Sequence, residues 1–201
     1  MLVQNSSPEL DPQQLPVPSK VVALLGRTFQ LHPLILQSLL AHASRGERLG
    51  VVLGDQHFDD AALARLARRH GFHPQEIRAQ IMLARAPRCH QMRQCLSKVA
   101  PVQRGWSALY VLGFLEPFLS EDTQDSIAQR LLEQCLARLR AIAAGGVSVV
   151  ITLACPPNEL SRREFVDRIV EASDISWQPS PLALSEPVLR QLELGVNTFR
   201  R

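Results

Sequence analysis

Lysine is nearly missing from this chain: Lys20 and Lys98 are the only two among 22 basic residues, so chemistry that needs an amine at a chosen place has almost nowhere to find one. Aromatic residues supply only 5%, too few among the arginines to build a groove that stacks bases along a single strand. The four cysteines, Cys89, Cys95, Cys135 and Cys155, form no C-x-x-C pair, which speaks against a secreted disulfide scaffold. His70 and His73 with Cys89, His90 and Cys95 lack the tight spacing of a zinc motif. Adjacent Cys89 and His90 would point about 100° apart on a helix, wrong for a nucleophile and its base. No metal and no cofactor are expected. No apolar run approaches the roughly 20 residues of a membrane span. The first twenty residues carry Pro8, Pro12, Pro16 and Pro18 with neither a basic start nor an apolar stretch of signal-peptide length. The expectation is a flexible arm over 1–20, no membrane partner and a cytoplasmic location.

What is present suits one α/β domain over residues 21–201, since 46% hydrophobic residues in a chain of 201 can bury a sizeable core. Apolar runs alternate with helical patterns, the signature of a mostly parallel central sheet covered by helices on both faces. Strands are predicted at Val21–Leu25, Val51–Leu53, Ile81–Ala84, Ala108–Leu112 and Val147–Leu153. Helices are predicted from Pro33, taken as a first-turn proline, to about Ser44, from Asp60 to His70 with Asp59 as N-cap and Gly71 as stop, and from about His90 to Val99. A further helix from about Ser126 to Ala144 carries a stripe of Ile127, Leu131, Leu132, Cys135, Leu136, Leu139 and Ile142. Beyond Pro156 and Pro157 the pattern is not assignable.

Charge is uneven. Arg65, Arg68, Arg69, Arg78, Arg85, Arg88, Arg93, Lys98 and Arg104 share their stretch with a single acid, Glu76. Such a run suits an anionic partner, and Arg85, Arg88 and Arg93 are the candidates for contact with DNA phosphates or with a partner protein. A solvated face is the alternative reading of the same residues.

Residues Val21 to Leu40 have the outline of a phosphate-binding loop: an apolar strand, a Gly-led turn and a helix. A working loop reads G-x-x-x-x-G-K-[ST]. Counting from Gly26 puts Leu31, His32 and Pro33 in its last three places. Leucine adds bulk where a glycine admits the anion, a histidine is mostly neutral near pH 7, and proline has neither hydroxyl nor backbone N–H. Asp55 and His57, after the second predicted strand, could form an acid and base pair or merely stabilise a loop.

The order and wording of these segments resemble the RecA-type recombinase ATPases, most closely the archaeal and eukaryotic recombinases and their paralogues, over about residues 20–157. The run Phe58 to Gly71 (FDDAALARLARRHG) resembles the helix after the family's second core strand. Ala84-Arg85-Ala86 followed by His90-Gln91 is similar to the next segment, and Val149 to Thr152 resembles the strand that ends in the nucleotide-sensing residue. The resemblance implies a RecA-like P-loop core with degenerate Walker motifs. By position, Asp55 is the one remnant of the water-activating carboxylate, Leu112 stands where a magnesium-binding aspartate belongs, and Leu153 and Ala154 stand where polar sensing residues belong. Leucine cannot hold a hydrated cation, and phosphoryl transfer depends on positioned charge. The expected protein is therefore a pseudo-ATPase, a non-catalytic structural or adaptor subunit in DNA recombination or repair. Its expected partner is a RecA-type subunit or a recombination accessory protein. Two other readings stay open: a remodelled nucleotide-binding protein using Asp55, and a DNA-binding module using the Arg65–Arg104 stretch.

Overall fold

Six short apolar runs become six parallel strands. The computed structural model describes residues 15–54, 58–102, 105–119, 124–154 and 160–178. Strands β1 (Val21–Leu25), β2 (Arg48–Leu53), β3 (Ile81–Arg85), β4 (Trp106–Leu112), β5 (Ser148–Leu153) and β6 (Ile175–Trp177) lie in the order β3-β2-β4-β5-β1-β6. Every neighbouring pair is parallel. All five strands expected from the sequence are present; β6 falls in the segment beyond Pro157 that was not assignable from pattern.

Because side chains alternate along a strand, each strand feeds two cores. Val21, Ala23, Leu109, Val111, Val149 and Ile151 point to one face and pack with Met92 and Leu96 of α4 (Cys89–Val102), with α5 (Asp125–Ala144) and with Phe165 and Ile169 of α6 (Leu160–Ala172). Val22, Leu24, Val51, Leu53, Tyr110 and Val150 point to the other. There they meet α1 (Thr28–Ala43), α2 (Asp60–Arg69) and α3 (Pro74–Ala79). The result is a three-layer α/β arrangement, and both faces of the sheet are covered as expected. Among the described residues no helix is long and apolar enough to cross a membrane.

Helix ends follow local chemistry. Asp59 caps α2 by accepting from the Ala62 N–H at 2.7 Å. Gly71, at φ 78°, closes the helix with Gly71 N–H on the Arg68 carbonyl and Phe72 N–H on that of Ala67, the paired bonds of a Schellman turn. The start of α1 differs from expectation. The helix begins at Thr28, so Pro33 stands in its second turn rather than its first. The missing proline N–H would have met the carbonyl of Phe29, which lies on the exposed stretch from Arg27 where water can serve it.

Residues 15–20, inside the stretch read as an arm, run against the core. Leu15 is buried, and its carbonyl accepts from Ser38 Oγ and from His42 Nε2, both at 2.8 Å. Ser38 Oγ also meets the Tyr110 hydroxyl at 2.7 Å, so the only polar side chain buried within α1 is satisfied. Burial pushes the Tyr110 phenol well above its ordinary range, against a smaller opposing effect of the Ser38 bond. The residues before 15 lie outside the described ones.

Asp174 ties the last strand to the first. Its carboxylate accepts from the Val21 N–H at 2.8 Å and from Lys20 Nζ at 3.4 Å. The Val21 bond is the main reason its acid is held below the ordinary carboxylate value. A depressed folded-state value stabilises above the unfolded value near pH 3.9 and ceases to do so as pH falls through the folded one. Asp174→Ala is expected to cost about 1 kcal/mol at pH 7, reduced by solvent screening, and almost nothing at pH 2. Urea melts at the two pH values check it.

Candidate functional site

The carboxyl ends of parallel strands are where α/β proteins bind ligands, and here three of them meet around one small cavity. Gly26 follows β1, Leu112 closes β4 and Thr152 stands one residue from the end of β5; all three line it, with Leu31, His32 and Ile35 from α1 and with Gly113 and Ala154. Positions that look unrelated in sequence are thus brought together: Gly26 with Leu31 and His32, Leu112, and Thr152 with Ala154 share one site. Pro33 does not line the cavity. Leu153 is fully buried, with its carbonyl accepting from the Gly26 N–H at 3.0 Å. Asp55 and His57 lie outside the described residues.

Size and polarity decide what this cavity can hold. Its volume is about 30 Å³, room for one or two waters, whereas small-molecule pockets run to about 300–1,000 Å³. Leu31, Ile35 and Leu112 are 3%, 2% and 6% exposed and fill the space that phosphate and metal would need. Among the described residues no lysine, arginine or carboxylate lines it.

The backbone is also unlike a phosphate loop. Leu31, His32 and Pro33 are helical, and only Gly26 and Arg27 connect β1 to α1. Four of the N–H groups at this turn, where an anion would be cradled, are engaged elsewhere. Those of Gln30 and Leu31 bond the Arg27 carbonyl at 2.9 and 3.1 Å, that of Arg27 bonds Gln30 Oε1 at 3.2 Å, and that of Gly26 is on Leu153. The main chain therefore departs from the phosphate-loop outline expected from the sequence, as the side chains do.

Thr152 is the residue that reading missed. Its Oγ1 accepts from the Gly113 N–H at 2.9 Å while its carbonyl accepts from Phe114 N–H at 3.0 Å. These bonds extend the sheet past the end of β4 and seal the cavity floor. A hydroxyl one residue from the end of the run Ser148–Leu153 was the available signal. Gly54 adds to the seal, with its N–H on the Leu112 carbonyl at 2.7 Å.

The basic run is divided by the fold. Arg65 pairs with Asp59 at 3.6 Å and Arg78 with Asp60 at 3.1 Å. Arg85 ends β3, Arg88 directly precedes α4, and Arg93 lies on α4 beside a groove of about 340 Å³ between α4 and α5. All three are exposed and have no ion-pair partner among the described residues. Cys135 floors that groove, and burial pushes its thiol up to about 12, against a smaller opposing effect of Arg93. Among the described residues no three His, Cys, Asp or Glu side chains gather closely enough to hold a metal ion.

No protein-family model matches the chain, and no curated protein matches it in sequence.

Proposed function

We propose that this chain is a non-catalytic RecA-type subunit, a structural or adaptor component of DNA recombination or repair that docks against an ATP-competent RecA-type subunit or an accessory protein. One observation carries the reading: the three places where the resemblance expects phosphate loop, metal acid and sensor fall around a single cavity, and that cavity is apolar and far too small for a triphosphate. Members of the family assemble head to tail with nucleotide near the interface. A subunit that keeps such a core without its chemistry completes or caps an interface whose ATPase belongs to the partner.

Calorimetric titration with ATP and magnesium is expected to give no saturable heat, and the tagged protein purified from its own cells is expected to bring down an ATP-competent RecA-type subunit. Micromolar nucleotide binding, or turnover abolished by Asp55→Asn, would instead establish a remodelled nucleotide site. A DNA-contacting role is favoured by a separate observation: Arg85, Arg88 and Arg93 are exposed and have no ion-pair partner among the described residues. It predicts salt-dependent mobility shifts weakened by Arg85→Ala and Arg88→Ala.

A further inference from the structure

We propose that the turn joining α2 to α3 is a contact surface for single-stranded nucleic acid, with Phe72 stacking against a base and Arg68 and Arg69 taking the adjoining phosphates. This stands independently of the nucleotide-site reading above, since it uses none of those residues.

Six consecutive residues, Arg68 to His73, are exposed. That makes the turn a projection rather than a groove, poorly shaped to bury a peptide side chain but able to meet a base splayed out from a strand. Its backbone is fixed: Gly71 at φ 78° and the two Schellman bonds hold the segment in one conformation. A Schellman turn commonly tucks the residue at the place of Phe72 against its helix. Here 40% of Phe72 stays open to solvent, putting it among the three large apolar residues that are most exposed in the described structure. A half-open ring on a backbone held by these bonds offers a stacking face, and every base has a face to match it.

Charge sorts the arginines. Asp59 and Asp60 are occupied by Arg65 and Arg78. Arg68 and Arg69 have no ion-pair partner among the described residues, and no acid lies between Arg65 and His73. His70 and His73, exposed in the same turn, add further N–H donors to the segment. Planar guanidinium groups beside an exposed aromatic suit phosphate and base together, whereas an acidic protein surface would leave Phe72 unmatched.

The test is fluorescence anisotropy with a dye-labelled oligo(dT) strand between about 50 and 200 mM salt, using full-length variants whose circular dichroism and melting match the parent. Phe72→Leu is expected to lower affinity about 5- to 100-fold, the range for one lost stack, while Phe72→Trp retains it. Arg68→Ala and Arg69→Ala are each expected to flatten the plot of log affinity against log salt by about 0.7, one phosphate contact apiece. The proposal is overturned by any of four results. These are no binding at low salt, unchanged affinity in the variants, loss that follows Arg85→Ala and Arg88→Ala instead, or displacement of the strand by polyglutamate as readily as by unlabelled oligo(dT).

Discussion

A Leu112→Asp chain is expected to be less stable than the parent by about 3–5 kcal/mol at neutral pH, the range for a buried charge left without a partner, and to gain no ATPase activity. The substitution restores the acid that the resemblance places at the end of β4, so a dormant but intact nucleotide site should respond to it. The surroundings argue otherwise. The new carboxylate would sit among Leu31 and Ile35 in a cavity with room for one or two waters and, among the described residues, no lysine or arginine on its lining. Burial raises the acid's folded-state value, so the penalty is complete above that value and fades as pH falls toward the ordinary aspartate value near 3.9. Urea melts from pH 4 to 8 read this directly, with Leu112→Asn as an uncharged control of flatter pH dependence. Stabilisation of the variant by ATP and magnesium would show that the site can still open to nucleotide.

Gly54→Ala is expected to cost at least about 3 kcal/mol, at or beyond the upper end for overpacking, measured as a fall in urea midpoint at unchanged slope. A methyl group at Gly54 would lie 2.0 Å from the Gly113 carbonyl oxygen and 3.0 Å from Pro117 Cδ. The obstructing oxygen belongs to main chain, so relief requires the ends of β2 and β4 to part. Parting them breaks the Gly54 bond to Leu112 and disturbs the Gly113 bond to Thr152. Gly50→Ala provides the contrast. Its methyl would fall 2.2 Å from the Trp106 ring, but a half-buried side chain can swing aside, so the cost should be smaller and relieved by Trp106→Leu.

The legible parts of the fold were those whose signal is local. β1 and β5 are continuous apolar runs, α5 carries a full stripe, and Asp59 with Gly71 supplied both ends of α2. Helix α3 is six residues long, too short to show a period, and went unseen. α6 mixes charges evenly and β6 has only three residues, both after a proline pair that hid the pattern. Pro33 misplaced the start of α1 because proline is common in a first turn, while the Arg27–Gln30 contact that sets the true start is not a standard capping signature. At the site, the lost charges at Leu31 to Pro33 and Leu112 could be read residue by residue. Closure of the cavity by Thr152 and the redirected N–H groups of Gly26 and Arg27 depends on which strands lie side by side, and periodicity carries none of that information.

The place of β1 between β5 and β6 has a consequence for how the chain is made. Val21 sits opposite Val149, and Val22 opposite Ile175, so β1, the first of the described strands to be synthesised, finds neither neighbour until β2, β3 and β4 have all followed it. Long-range parallel pairing is slow because the intervening chain must be closed first. Through that interval VVALL is an unpaired apolar segment of the kind that nascent chains bury in chaperones or lose to aggregation.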